Sequence, residues 1–210
     1  NGDAADDVTE PPTTPTPPER LPAFTSLTGE QYQAIYLVPP VPLNGPIVLA
    51  EYDPAWPDLY AREEARIRGA LGARALLLEH AGSTSVPGLA AKPRIDIVLA
   101  VVDSADEPAY VPPLEAAGYT LRLREPEWHE HRLLNGPDTA LNLHVFTAGD
   151  AEIARMLGFR DWLRTHPADR DLYERTKRDL AQREWQYTQH YADAKTAVVE
   201  EIIARAQAGS

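Results

Sequence analysis

The sequence predicts a mixed α/β domain: a β-sheet interleaved with helices, flanked by them, and closed by a C-terminal helical cap. Three observations predict it. Short apolar runs at 75–80 (ALLLEH) and 94–102 (RIDIVLAVV) have the length and bulk of buried strands. Leu59, Glu63, Ile67 and Leu71 step by four positions, which is helical spacing. Beyond Gly149-Asp150 only helical patterns remain.

In chain order, residues 1–45 read as a separate leader, and 46–207 as the domain. Residues 1–20 are acidic, rich in Thr and Pro, and nearly without large apolar side chains. Such a composition buries too little surface to offset its ordering entropy and predicts an irregular or polyproline-like segment. It lacks the basic start and apolar run of a signal peptide, and a cytoplasmic location is expected. The opening Asn in place of Met is what a processed or excerpted piece would show. Residues 31–43 (QYQAIYLVPPVPL) are broken by prolines and read as a linker, the alternative being an arm packed on the domain or on a partner.

Regular patterning starts at IVLAEY (47–52), which reads as a strand. Asp53-Pro54 then resembles an N-cap with proline at the first helical position, predicting a helix over 54–71 that stops at Gly72. The small-residue segment 81–93 between the two apolar runs reads as a loop with one helical turn. Ser104-Ala-Asp-Glu107 has capping-box spacing, and Tyr110, Leu114 and Ala117 continue that helix to Gly118. Residues 119–123, 129–134 and 140–146 read as strands, the last two joined as a hairpin through Asn135-Gly-Pro-Asp138. Helices are expected over 151–164, 169–184 and 188–206, the last with Tyr191, Ala194, Val198, Ile202 and Ala206 in one stripe.

Composition narrows the function. The 210 residues carry a net charge of -12, which excludes a surface built to grip a nucleic-acid polymer. There is no cysteine, so disulfides, thiolate catalysis and Cys-ligated zinc are ruled out. No apolar run reaches the roughly 18 residues of a membrane span, so no membrane partner is expected.

The segment most suited to chemistry is His80-Ala-Gly82-Ser83-Thr84-Ser85, followed by Lys92-Pro-Arg94-Ile-Asp96-Ile97. Gly82 lets backbone approach a ligand closely, while Ser83, Thr84 and Ser85 offer hydroxyls and amides to phosphate oxygens. Asp96, flanked by apolar residues, predicts a carboxylate on a sheet face that needs a metal or cation. Two familiar phosphate loops fail: Leu89 stands where a Walker loop needs Lys, and no G-x-G-x-x-G occurs. His129 and His131, two residues apart before a strand, could share a face and hold zinc or iron with His144. Ser83 paired with His80 or His144 as nucleophile and base lacks the G-x-S-x-G context. The four tryptophans, at 56, 128, 162 and 185, read as core or interface anchors.

EYDPAWP (51–57), EHAGSTSVPGLAAKPRIDI (79–97), WHEHRLL (128–134), NLHVF (142–146) and FRDWLR…HPADRDLYERTK (159–177) together resemble the GrpB family over about Ile47 to Ala206. The resemblance implies a nucleotidyltransferase-like fold, in which a Gly-Ser turn precedes a D-x-D strand, and an activity largely unassigned. It also implies a domain found in some bacteria fused behind dephospho-coenzyme A kinase, so an upstream fused or separate protein partner is expected. Asp96 matches the second acid of the D-x-D pattern, but Arg94 stands at the first, and the neighbouring strand reads Asn142-Leu-His144 in place of a third acid.

The expected site therefore has Asp96 and His144 as catalytic groups, with Asp96 the ligand of one Mg2+. Gly82, Ser83, Thr84, Ser85, Lys92, His131, Arg132, Arg160 and Lys177 would bind a nucleotide or a coenzyme A-related molecule. Nucleotidyl transfer by in-line displacement is one expectation, and a catalytically silent binding or chaperone-like module is the other.

Overall fold

The computed structural model describes residues 27–43 and 45–209; the reading of residues 1–20 lies outside the described residues. Five strands form one mixed sheet: β1 (Leu77–Ala81), β2 (Ile95–Val101), β3 (Thr120–Glu125), β4 (His131–Asn135) and β5 (Leu141–Thr147), in the order β1-β2-β5-β4-β3. β2 and β5 run parallel, and the other three pairings are antiparallel. The helices are α1 (Gly29–Ile35), α2 (Trp56–Leu71), α3 (Glu107–Ala116), α4 (Ala151–Thr165), α5 (Pro167–Ala181), α6 (Thr188–Ala194) and α7 (Thr196–Ala208).

The alternation of β2 divides the sheet into two faces. Ile95, Ile97, Leu99 and Val101 join Leu141, Leu143 and Val145 of β5 in a core against Trp56, Ile67 and Leu71 of α2 and Tyr110 and Leu114 of α3. The opposite face places Val98, Ala100 and Phe146 against Ile153 of α4. Asp96, Asn142 and His144 share the parity of this second face, toward the end of the strands that α4 does not cover. A third cluster seats Val86 and Leu89, from the β1–β2 connection, among Leu163, Tyr173, Val198 and Ile202 of the cap helices. The cap therefore fixes the loop that carries the Gly-Ser turn.

Several expected boundaries change. Residues 47–52 form no strand: within them only Ala50 pairs, as an isolated bridge to Ala91. Helix α2 starts at Trp56, because the Asp53 carboxylate accepts from Ala55 N at 2.8 Å and closes a turn ahead of the helix. The capping box fails, since the Ser104 hydroxyl bonds Glu130 O at 2.8 Å and helix α3 begins after Asp106. The last expected helix is two, α6 and α7, meeting at Lys195. Tyr191 and Ala194 accordingly pack with Ile47 and Leu180, apart from Val198 and Ile202.

The 31–43 segment lies on the domain. Tyr36 bridges Leu123 at the β3 edge, Leu37 N donates to Arg122 O at 2.9 Å, and Leu43 N donates to Gln186 O at 2.9 Å. Among the described residues no helix is long and apolar enough to cross a membrane.

Candidate functional site

The turn at the end of β1 is a tight construction. Gly82 adopts φ +66, and a Cβ there would lie 2.5 Å from Asp96 Oδ2, so only glycine brings the two strands' ends this close. Ser83–Ser85 form a single 3-10 turn. The Thr84 hydroxyl donates to Arg94 O at 3.3 Å and lies 3.0 Å from His80 Nε2, while the Ser85 hydroxyl donates to Gly82 O at 2.5 Å. Burial pushes the His80 imidazole down to about 4 despite the nearby Asp96 charge, so the ring is neutral and donates to Thr84. Arg164 clamps the turn from α4 through two bonds to Ser85 O at 3.0 and 2.8 Å. Two of the three hydroxyls thus build the loop, and the partly exposed Ser83 is left facing Lys177 Nζ at 3.1 Å.

The chain has three lysines, at 92, 177 and 195, and all three converge here. Lys177, 1% exposed, reaches from α5 to Ser83 Oγ and to Ala90 O, with its ammonium 4.8 Å from the Tyr173 ring centroid. Burial lowers its pKa to about 7, helped by the Lys195 and Arg178 charges and opposed by Glu174. Burial, then the Lys195 and Arg94 charges, bring Lys92 down to about 8. Among the described residues no carboxylate forms an ion pair with any of the three. Glu174, the nearest acid on α5, accepts from Ala90 N at 2.9 Å and pairs with Arg178. The Lys195 charge lowers both Lys92 and Lys177, and Asp96 and Glu174 offset this only in part.

On the sheet face beside this cluster, four side chains form a line. Asp96 Oδ1 accepts from Asn142 Nδ2 at 3.1 Å and lies 3.2 Å from His144 Nε2. His144 Nδ1 is 3.0 Å from His131 Nε2, and His131 Nδ1 is 2.6 Å from Glu125 Oε2. Strand register makes the line: Asp96 sits opposite Asn142, Leu133 opposite His144, and Glu125 opposite His131. Burial would raise the Asp96 pKa, but the hydrogen bonds from His144 and Asn142 hold it below the usual carboxylate value. Burial pushes His131 down to about 4 even with Glu125 alongside.

Of the residues singled out in the sequence, Gly82, Ser83, Lys92, Asp96, His144 and Lys177 come together, with His131 one step behind. Thr84 and Ser85 are present as scaffolding. Arg160 is turned elsewhere: it binds Glu79 at 2.8 Å, His80 O at 2.9 Å and Asp161 at 2.8 Å. Arg132 likewise binds Glu107 at 2.7 Å and Glu130 O at 2.9 Å. Sequence reading missed Glu125, Asn142 as a partner of Asp96, and Lys195. Lys195 was hidden inside an expected continuous helix, whereas a hairpin register would have placed Glu125 beside His131.

The three-histidine metal arrangement does not assemble. His129 and Glu130 adopt φ of +55 and +47, which breaks the period-two pattern, and His129 Nδ1 turns to Asp150 at 2.8 Å. Asp96 also does not fit a divalent cation. Its Oδ1 is engaged by two N–H donors, its Oδ2 abuts the Gly82 backbone, and Arg94 bonds Leu141 O at 3.1 Å and Asn142 Oδ1 at 3.2 Å nearby. Magnesium is held in a near-octahedral oxygen shell through carboxylate oxygens open to it, and those of Asp96 are already engaged. Among the described residues no group of three or more His, Asp or Glu is arranged to hold a metal.

Comparison with known proteins agrees with this architecture. A UPF0157 protein of Halalkalibacterium halodurans is 60% identical over 184 residues, covering 88% of this chain and 94% of its own. A UPF0157 protein of Streptomyces coelicolor is 48% identical over 162 residues, covering 77% and 85%. A dephospho-CoA kinase of Mycolicibacterium paratuberculosis is 33% identical over 166 residues, 67% of this chain but 41% of that protein. The crystal structure of the conserved protein GrpB from Enterococcus faecalis superposes with a TM-score of 0.67 at 33% identity, covering 76% of this chain and 96% of that one. The GrpB protein family profile matches residues 46–205, three quarters of the chain with the whole of the sheet and all but the end of α7, and the chain belongs to the GrpB family.

Proposed function

We propose that this protein binds the phosphate groups of a nucleotide or coenzyme A-related molecule in the cleft over the Gly82–Ser85 turn. One observation carries the reading. All three lysines of a chain with net charge -12 gather at this turn, and among the described residues none is in an ion pair with a carboxylate. Lys92 and Lys177, held below the ordinary lysine value by burial and by the Lys195 charge, are stabilised by an anion that takes up their charge. Phosphate supplies that charge and accepts hydrogen bonds from Lys92 and Lys195 and from the Ser83 hydroxyl, which Lys177 holds in place. The Asp96 donor set argues against chemistry run through two magnesium ions, so binding does not require the metal.

Calorimetric titration with ATP, CTP and dephospho-CoA, in EDTA, tests this. Binding by the native chain that weakens at least roughly tenfold in Lys92→Met is expected. Failure of all three compounds to bind would overturn the reading.

A second reading is favoured by the relatives named dephospho-CoA kinase, in which the matching region covers 41% of the protein. On it, the domain is a catalytically silent module that presents a bound coenzyme A precursor to such a kinase. Co-migration of the two proteins in size-exclusion chromatography supports it, and independent migration counts against it.

A further inference from the structure

Two groups in the cleft have chemistry that phosphate binding alone does not use. Ser83 is the one hydroxyl of the Ser83-Thr84-Ser85 turn not engaged in building it, and it is partly exposed. Lys177 is buried to 1% exposure, and its Nζ contacts only neutral oxygens, Ser83 Oγ at 3.1 Å and Ala90 O. A primary amine in that position can take a proton from the serine hydroxyl while Ala90 O holds one of its N–H groups. Its placement is rigid. Ala90 is held by Glu174 through its amide at 2.9 Å, and the turn is held by Arg164 through Ser85 O. An activated nucleophile needs a base within hydrogen-bond reach and a third group that orients the base, and both conditions are met.

We propose that Ser83 is a nucleophile activated by Lys177, accepting a phosphoryl group from a phosphorylated compound bound in the cleft. The proposal rests on the phosphate-binding reading above. In the step, the neutral Lys177 amine takes the proton from Ser83 Oγ–H as the Oγ–P bond forms. The bond from phosphorus to the leaving oxygen breaks, and its electron pair stays on that oxygen. A phosphoanhydride leaves as a phosphate anion; an ester oxygen takes the proton back from the Lys177 ammonium. Lys92 and Lys195 meet the charge on the phosphoryl oxygens. The Lys177 pKa of about 7, set by burial and by Lys195 and Arg178 against Glu174, leaves a large neutral fraction near pH 7. The ring of Tyr173 is the other face packed on its ammonium.

The test uses a neutral dialkyl fluorophosphate, from which serine displaces fluoride, with the adduct located by peptide mass mapping. The expected result is a single adduct on Ser83, forming faster as pH rises through about 7. Ser83→Ala should abolish it. Lys177→Met should slow it by roughly a hundredfold or more and remove the rise. Lys177→Arg, which keeps the charge but cannot act as a base near neutral pH, should be equally slow. Denaturation curves confirm that each variant is folded, and the pH profile of the native chain stands without them. No adduct, an adduct elsewhere, or labelling indifferent to pH and to both Lys177 substitutions would overturn the dyad. An unreactive chain that still binds ATP overturns the nucleophile and leaves the binding reading. Labelling without nucleotide binding overturns the phosphorylated substrate and leaves the dyad.

Discussion

His131 Nε2 lies 3.0 Å from His144 Nδ1, so one of the two rings must donate to the other. The direction follows from the ends of the line. Burial keeps His131 neutral, and its Nδ1 faces the Glu125 carboxylate at 2.6 Å. The single ring proton therefore sits on Nδ1, Nε2 accepts, and His144 carries a proton on Nδ1. Its Nε2 lies 3.2 Å from Asp96 Oδ1 at the other end of the line.

Glu125→Gln should reverse this order. With that charge removed, Asp96 is the remaining anion of the line, and His144 presents its Nε2–H to it. His131 then donates through Nε2 and accepts through Nδ1 from the new amide. Nitrogen-15 chemical shifts of the two rings should report Nδ1–H on His131 in the native chain and Nε2–H in the variant. Unchanged shifts would show that Glu125 does not set the tautomer.

Gly82→Ala tests the closest backbone approach in the site. The substitution combines a φ of +66 with a Cβ 2.5 Å from Asp96 Oδ2. At φ +66 and ψ -175 the backbone is in a region that essentially only glycine occupies, costing another residue about 1–3 kcal/mol, and the clash must also push Asp96 away from Asn142 and His144. A loss of roughly 2–4 kcal/mol in urea denaturation is expected. Gly69→Ala, in α2 with open space around it, should be neutral or slightly stabilising. Equal effects at the two positions would contradict the close approach.

How far the site could be read from sequence follows from which interactions are local. The Gly-Ser turn, the single helical turn and the inward Asp96 come from a short stretch whose small residues and apolar alternation leave few options. Ser104 shows the opposite case. Its spacing to Glu107 fits a capping box, yet the hydroxyl finds Glu130 O and Thr147 across the fold, and tertiary partners outweigh the local cap. The IVLAEY run has strand composition, but the flanking chain gives Ala50 just one bridging partner, Ala91. The lysine cluster joins positions 92, 177 and 195, which only the packing of α5 and α7 against the β1–β2 loop brings together. Lysines on helices otherwise read as solvated, and nothing in their own neighbourhoods sets these apart.

Acid should weaken the fold through two histidines. His80 and His131 have folded pKa values of about 4, each set mainly by burial, against an ordinary 6.5. Between those values the unfolded chain binds protons that the folded chain refuses, so stability is full above about pH 6.5 and falls as pH drops toward 4. Each residue can account for up to roughly 3 kcal/mol of that loss. The urea midpoint should decline between pH 7 and pH 4.5, and His80→Gln, which keeps a donor for Thr84, should flatten the decline. A midpoint constant across that range would show that the buried rings accept protons freely.

Lys177→Met separates the cost of the buried ammonium from its use. The folded pKa of about 7 lies below the ordinary 10.5, so the unfolded chain binds the extra proton between those values. Stability of the native chain therefore falls as pH drops from about 10 to 7, and stays reduced below. The methionine variant has no such term, keeps most of the apolar stem packed on Tyr173, and loses one donor to Ala90 O. Near pH 10 the two chains should have similar stability, within about 1 kcal/mol. At pH 7 the variant should be the more stable by a few kcal/mol, because an unpaired buried charge has been replaced by an apolar group of similar volume. Nucleotide binding should weaken in the same variant, so the substitution raises stability while it removes function. Urea denaturation at pH 10, 8.5 and 7 measures the difference. A native chain that gains stability relative to the variant as pH falls would mean that the Lys177 ammonium is stabilised in the fold, and the cleft would then need no anion to accommodate it.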